Sequence, residues 1–247
     1  MKKLLTILGC AAILAGLSFT NLQAQSNFHK DTLMTMGGPL VVTFIGHSSL
    51  HFQYHTVSLY IDPVAQVADY EGMPPADVIL ITHEHGDHFD TTLIARLSKP
   101  ETMLAMTETC NKLWPRGVVV KNGDFVNLRG IDVEVVPAYN IFHKRGNGKP
   151  YHEKGVGNGY ILSFGGYRVY VAGDTEYIPE MKEFKSVDVA FLPVAEPFTM
   201  SIMMLDLSAR TLAPKILYPY HLNRTDPDEV VKTLMGSGID VRIRAMR

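Results

Sequence analysis

The chemistry of this chain concentrates in Thr82-His83-Glu84-His85-Gly86-Asp87-His88, where four metal-capable side chains (His83, His85, Asp87 and His88) fall within six residues. They follow an apolar run, Val78-Ile79-Leu80-Ile81, bounded by polar residues and glycine, which reads as a buried strand. Side chains alternate faces along a strand, so His83 and His85 should point the same way. Gly86 permits a sharp turn that can bring Asp87 and His88 back toward the same space. The natural partition is two imidazoles for one cation and a carboxylate with an imidazole for a second. Imidazole and carboxylate suit zinc, and also iron or manganese.

The elements that must position this motif follow from the flanking sequence. Residues 40–45, 50–54, 57–61 and 77–82 read as a succession of strands beginning as a β-meander, with Asn27–Met36 before them as a spacer. Asp90 is a helix N-cap ahead of Thr91–Leu97. Short strands recur at 103–106, 117–120, 124–128 and 131–136. Tyr139–Gly159 carries five glycines and four cations (Lys144, Arg145, Lys149, Lys154) against Glu153, and reads as a long mobile connection. A hairpin then crosses Gly165-Gly166. Strands follow at 187–194 and 216–218, helices at 205–212 and after Asp226-Pro227, and an alternating strand at 241–244. Strands come first and helices alternate with strands later, in each half. That order suits two packed mixed sheets with helices outside, in an α+β fold of one domain.

Met1-Lys2-Lys3, the apolar run Leu4–Phe19 and Leu22-Gln23-Ala24 read as a Sec signal peptide cut after Ala24. The expected mature chain, residues 25–247, is exported to the periplasm or secreted and keeps no stable membrane anchor. A lipoprotein processed at Cys10 and a retained anchor are the lesser readings. The cut removes two of 23 basic side chains and none of the 25 acids, leaving a formal charge of −4. That balance argues against a nucleic-acid partner, which needs a basic face. Only Cys110 would remain of two cysteines, a buried small hydrophobe and no part of a disulfide.

The H-x-H-x-D-H run at 83–88 resembles the signature of the metallo-β-lactamase superfamily. Gly46-His47-Ser48-Ser49, Ile61-Asp62-Pro63, Gly173-Asp174-Thr175 and Tyr220-His221 extend the resemblance from about residue 40 onward. The branch it resembles most holds metal-dependent hydrolases such as ascorbate-6-phosphate lactonases and N-acyl-phosphatidylethanolamine phospholipase D. The resemblance implies an αββα sandwich and a centre for two divalent metal ions, zinc foremost, with manganese or iron as alternatives. It implies metal ligands at His83, His85, Asp87, His88, His152, Asp174 and His221. By spacing alone, Asp174 reads equally as a bridging ligand or a helix cap; the resemblance favours bridging. His152 is preferred to His143 as the third ligand of the first ion because it lies 22 residues before Asp174. His143 then becomes a flap or substrate contact. Where many relatives carry Ala-x-His, this chain has Ala138-Tyr139-Asn140. Asp62 is expected behind the metal loop, and His47 on its rim or in a structural role.

The implied activity is hydrolysis of a small-molecule substrate by a hydroxide held between two metal ions, with Asp87 as the catalytic carboxylate. The basic stretch 144–154 points to an anionic phosphodiester or to a lactone or ester. β-Lactam hydrolysis fits less well, because lactamases of this fold lack a bridging aspartate at the position of Asp174. An iron-binding oxidoreductase of the same fold is a second reading, although the di-iron reductases carry Glu where this chain has His85. A non-catalytic exported metal-binding protein is a third.

Overall fold

The computed structural model describes residues 28–246, and the signal-peptide reading of 1–24 lies outside the described residues. Fourteen strands form two seven-stranded sheets. The first contains β1 (His29–Thr35), β2 (Gly38–Gly46), β3 (Ser49–Tyr54), β4 (Val57–Ile61), β5 (Ala76–Leu80), β6 (Ser98–Met106) and β7 (Val118–Val119), in that spatial order. The second contains β8 (Phe125–Leu128), β9 (Ile131–Ala138), β10 (Gly157–Phe164), β11 (Tyr167–Val171), β12 (Val189–Pro193), β13 (Ile216–Tyr220) and β14 (Asp240–Val241). Each sheet opens as a four-stranded antiparallel meander and continues with three parallel strands. The repeating order of elements in the sequence thus becomes a repeated topology.

Alternation within the strands makes the layers. In β5, Val78 and Leu80 face the other sheet while Ile79 turns outward; in β12, Val189 and Phe191 face inward and Ala190 and Leu192 outward. The inter-sheet core includes Phe44, Phe52, Tyr160, Phe164, Phe191 and Tyr218. Each large apolar side chain removed from water contributes about 1.5–3 kcal/mol. Outside the first sheet lie α1 (Thr91–Leu97) and α2 (Glu108–Leu113); outside the second lie α3 (Ile202–Leu212), α4 (Pro227–Thr233) and a 3₁₀ turn at Pro179–Glu183. The result is the αββα sandwich. Asp90 caps α1 by accepting from Thr92 N and Leu93 N, and Asp226 caps α4 by accepting from Asp228 N. Gly165 and Gly166 close the β10–β11 hairpin with φ of 57° and 83°, the pair of positive values a type I′ turn requires. A Cβ on Gly165 would also lie 2.7 Å from the Tyr54 hydroxyl.

Two expectations change, and one element, α2, was not foreseen. Residues 29–35 form edge strand β1, paired with β2 from His29↔Phe44 to Thr35↔Gly38. Its polar residues hid it, because a strand at the sheet edge shows solvent much of its surface. The short α2 gave no periodic signal. The C-terminal strand stops after Asp240–Val241, and Arg242 and Arg244 turn to Asp31 instead. Asp31 accepts from Arg244 Nε (3.1 Å) and Nη2 (2.6 Å), from Arg242 Nη1 (3.3 Å) and from the Tyr218 hydroxyl (2.5 Å). This cluster fastens the first strand of one sheet to the last segment of the other. Cys110 is fully buried, and burial pushes its thiol up to about 12.

Burial alone would raise the Asp31 carboxyl, but the Arg244 and Tyr218 hydrogen bonds outweigh it and hold it below its ordinary value. A depressed carboxylate stabilises the fold above its unfolded pKa of about 4, and the contribution fades as pH falls through the folded value. Asp31→Asn is therefore expected to lose about 1–3 kcal/mol at neutral pH, measured by urea unfolding. The difference between the two proteins should shrink as pH falls below about 4. Equal midpoints at pH 7 would contradict the role assigned to the cluster.

Candidate metal centre

The site lies along the edge where both sheets end. Parallel pairing of β4 with β5, Ile61 opposite Leu80, brings Asp62 beside Thr82. The chain leaves β5 at Leu80, so the whole 82–88 run is loop and not strand. The turn is closed by His88 N and Phe89 N, both donating to His85 O at 2.9 Å. Gly86 has no left-handed φ, so the conformation does not demand glycine there. From the second sheet, β11 ends at Val171 and the chain passes Gly173, whose φ is 66° and where a Cβ would lie 2.8 Å from Asn158 O. Glycine is needed at that point to deliver Asp174. β13 delivers His221. His47, Asp62 and His221 all adopt left-handed backbone conformations, with φ of 50°, 44° and 51°. Such residues cost on the order of 1–3 kcal/mol each and concentrate at functional sites.

Two clusters result. His83, His85 and His152 bring ring nitrogens together, with His83 Nε2 3.1 Å and His152 Nε2 3.2 Å from His85 Nδ1. His47, Asp87, His88 and His221 form the other, with ligand atoms within 4.8 Å of one another. Asp174 lies between them. Its Oδ2 is 3.4 Å from His152 Nε2, 3.9 Å from His83 Nε2 and 3.3 Å from His221 Nε2; its Oδ1 is 3.3 Å from His88 Nε2. All seven expected side chains meet in one place. His143 does not join them: its Nδ1 lies 2.7 Å from Glu176 Oε1 and its Nε2 3.1 Å from Glu196 Oε1.

The surrounding hydrogen bonds fix the tautomers. Thr82 Oγ1 donates to Asp62 Oδ2 (2.6 Å) and so accepts from His83 Nδ1 (3.0 Å), leaving His83 Nε2 as a lone pair. His88 Nδ1 donates to Asp62 Oδ2 (2.8 Å), and His152 Nδ1 donates to Asn140 Oδ1 (2.7 Å). In each ring Nε2 then faces the centre as an acceptor. Lone pairs and carboxylate oxygens that converge without protons between them repel one another unless a cation lies among them. His88 Nε2, His221 Nε2 and Asp174 Oδ1 are buried without a hydrogen-bond partner, although each of the two nitrogens lies 3.3 Å from an Asp174 oxygen. That is proximity without hydrogen-bond alignment, and it fits ligand atoms arranged around an ion. The donor set suits zinc, manganese or iron.

The electrostatics match. Burial chiefly, with neighbouring imidazoles, holds His83 well below its ordinary value and His152 down at about 4, so both rings stay neutral. Burial would also lower His88, but the Asp174 and Asp62 carboxylates outweigh it and raise it, so without an ion this ring takes up a proton that stands in for a cation beside Asp174. Burial would raise Asp174, yet His221 and His88 hold it well below the carboxylate range. Asp87 is likewise depressed, against burial, by the His47 hydrogen bond.

Several contributors were missed by the sequence reading or, like His47, left open between the site's rim and a structural role. Asn140, the residue that departs from Ala-x-His, orients His152 and also donates to Glu176 and the Phe198 carbonyl. His47 Nε2 lies 3.1 Å from Asp87 Oδ2 and its ring centroid 3.8 Å from that of His221, tilted by 45°, placing it inside the second cluster. A histidine after a glycine at a strand end was the available signal. The 139–156 connection is anchored, not loose, at its start: buried Glu176 accepts from the amides of Ile141, Phe142 and His143 at 2.7 Å. Of its four cations, Arg145 and Lys149 line a cavity of about 460 Å³ beside the first cluster, whereas Lys154 pairs with Glu180 at 2.7 Å.

Comparison with known proteins agrees with this geometry. A family model described as the beta-lactamase superfamily domain matches residues 41–221. A UPF0173 metal-dependent hydrolase of Pyrococcus abyssi is 31% identical over 214 residues, covering 79% of this chain and 92% of its own. A protein of Parabacteroides distasonis, described as a candidate metal-dependent hydrolase, is 47% identical in its crystal structure. The TM-score is 0.85, with 89% of this chain and 100% of that one covered. Igni18, a metallo hydrolase of the archaeon Ignicoccus hospitalis, is 28% identical with a TM-score of 0.69, covering 83% and 94%.

Asp62 belongs to neither ligand cluster, yet it holds His88 and Thr82. Asp62→Asn is expected to weaken metal affinity by about 10–100-fold, read by competition with a chromogenic chelator. Unchanged affinity in a folded variant would break the link drawn between Asp62 and ligand orientation.

Proposed function

The chain belongs to the metallo-β-lactamase superfamily and is a metal-dependent hydrolase of that fold; from this premise we propose that it is an exported, binuclear enzyme acting on an anionic phosphodiester or on a lactone or ester. The observation that carries the two-ion reading is the Asp174 carboxylate, which presents one oxygen toward His88 and the other toward His152, His83 and His221. His83, His85 and His152 would hold one ion, Asp87, His88 and His221 the other, and Asp174 both. Zinc is the first choice, with manganese or iron as alternatives. When bound, such a pair would supply an activated water near neutral pH and polarise the carbonyl or phosphoryl oxygen of the substrate while its carbon or phosphorus is attacked.

The chain's own groups do the rest. The half-exposed Asp87 carboxylate borders the open cleft, and His47 Nε2 fixes one of its oxygens at 3.1 Å. Held as a carboxylate by that contact, Asp87 positions the attacking water and accepts its proton. Asp62 and Asn140 keep His88 and His152 in the tautomers that face the cleft. No serine or cysteine nucleophile takes part, so no covalent intermediate is expected. Export rests on the basic, apolar and Ala24-terminated segments of residues 1–24. An anionic substrate is supported by Arg145 and Lys149 in the adjoining cavity. The overall acidity of the chain weighs against a nucleic-acid partner.

The test is turnover of a chromogenic phosphodiester, a lactone and a β-lactam by protein beginning at Gln25 and loaded with zinc or manganese. Phosphodiester or lactone turnover is expected, and Asp87→Ala should reduce it by about 10²–10⁴-fold, the usual range for a lost acid–base group. Turnover that survives this substitution would remove Asp87 from the reaction; turnover of the β-lactam alone would overturn the substrate class.

A further inference from the structure

His85 differs from the other histidines of the first cluster. His83 and His152 face the cleft through Nε2, but His85 faces it through Nδ1, and its Nε2 points away toward Arg145 Nη2 at 3.3 Å. An imidazole that gives its Nδ1 lone pair to an ion carries its proton on Nε2. A guanidinium nitrogen is a donor only. Without an ion, Nε2 can accept from Arg145 Nη2; with an ion on Nδ1 it carries a proton, and the two N–H groups then face each other with neither able to accept.

The guanidinium is held in place. Its Nη2 donates to Tyr151 O at 3.1 Å, and its carbon lies 5.1 Å from the centroid of the Tyr151 ring. The segment carrying it is a small closed turn: Arg145 N donates to Lys149 O (2.7 Å), Gly148 N donates to Arg145 O (2.8 Å), and Lys144 bridges to Pro150. No carboxylate pairs with Arg145 among the described residues. The cavity it borders also carries Glu84 and Glu153 beside Lys149. With Asp174 in the same lining, three carboxylates face two cations, so the cavity has no excess of positive charge and selectivity for an anion must come from converging donors.

We propose that Arg145 and the Nε2–H of His85 form one subsite for an anionic oxygen of the substrate, next to the first metal cluster. The oxygen accepts from both donors at once, as carboxylates and phosphoryl oxygens do from a planar guanidinium. Arg145 is then a specificity-determining residue that selects substrates with a fixed negative charge beside the scissile bond. The proposal rests on the reading that His85 holds an ion through Nδ1.

The test is calorimetric titration of zinc-loaded protein with phenylphosphonate, a stable anion that needs no turnover to be seen. Metal content is measured in every sample. Wild type is expected to bind, Arg145→Gln to raise the dissociation constant at least tenfold, and Lys149→Gln to raise it less than threefold. Equal affinity in wild type and Arg145→Gln would overturn the subsite. So would equal weakening by both variants, which would mean general positive potential in place of a converging pair. A wild type that binds through Arg145 but hydrolyses nothing in the substrate panel keeps this subsite and loses the substrate assignment made above, so the two fail separately.

Discussion

The structure depends on one buried carboxylate placed between two groups of imidazoles. Asp174 is almost fully enclosed, and a negative charge there is costly unless it is matched. Its neighbours come from both sheets: His83 and His88 from the loop after β5, His152 from the segment before β10, and His221 from the end of β13. The centre can therefore exist only when the sandwich is closed. Hydrogen bonds across the sheets secure that closure at the same place. Asn158 N donates to Thr82 O at 2.9 Å, His221 N to His47 O at 3.0 Å, and the Tyr160 hydroxyl to Ile81 O at 2.6 Å. Left-handed backbone at His47, Asp62 and His221 is maintained by this surrounding structure and aims side chains that a relaxed strand end would send elsewhere.

Polarity is graded outward from that carboxylate. Imidazoles touch it; Asp62, Thr82 and Asn140 hold the far side of those imidazoles; Arg145, Tyr151 and Lys149 then border the cavity. Asp62, Thr82 and Asn140 fix the tautomers of the imidazoles they hold. Glu176 has the same part in the connection between β9 and β10. By accepting three successive amides and His143, it folds the loop so that Asn140 and His152 reach the centre while His143 faces Glu196.

Much of this was legible in the sequence because it follows from local rules. The 83–88 run, Asp174 and His221 are ligand-type residues at the ends of apolar strands, and alternation along those strands predicts both the inter-sheet core and the outer faces. The choice of His152 over His143 was not decidable locally. Both lie in one glycine-rich stretch, and what separates them is a carboxylate more than 20 residues further on. β1 was illegible because an edge strand need not alternate. Asn140 was read only as a departure from a family pattern, whereas its amide oxygen holds His152. His47 was left open because a lone histidine has no periodic context; its partner Asp87 is 40 positions away.

The central claim is that these side chains form one two-ion centre bridged by Asp174. It is tested most directly by anomalous diffraction from crystals of the metal-loaded protein, recorded at the metal edge. Two peaks about 3.5–4 Å apart, with Asp174 between them, His83, His85 and His152 on one and Asp87, His88 and His221 on the other, is the result expected. A single peak, or a peak held by His143 in place of His152, would contradict the account.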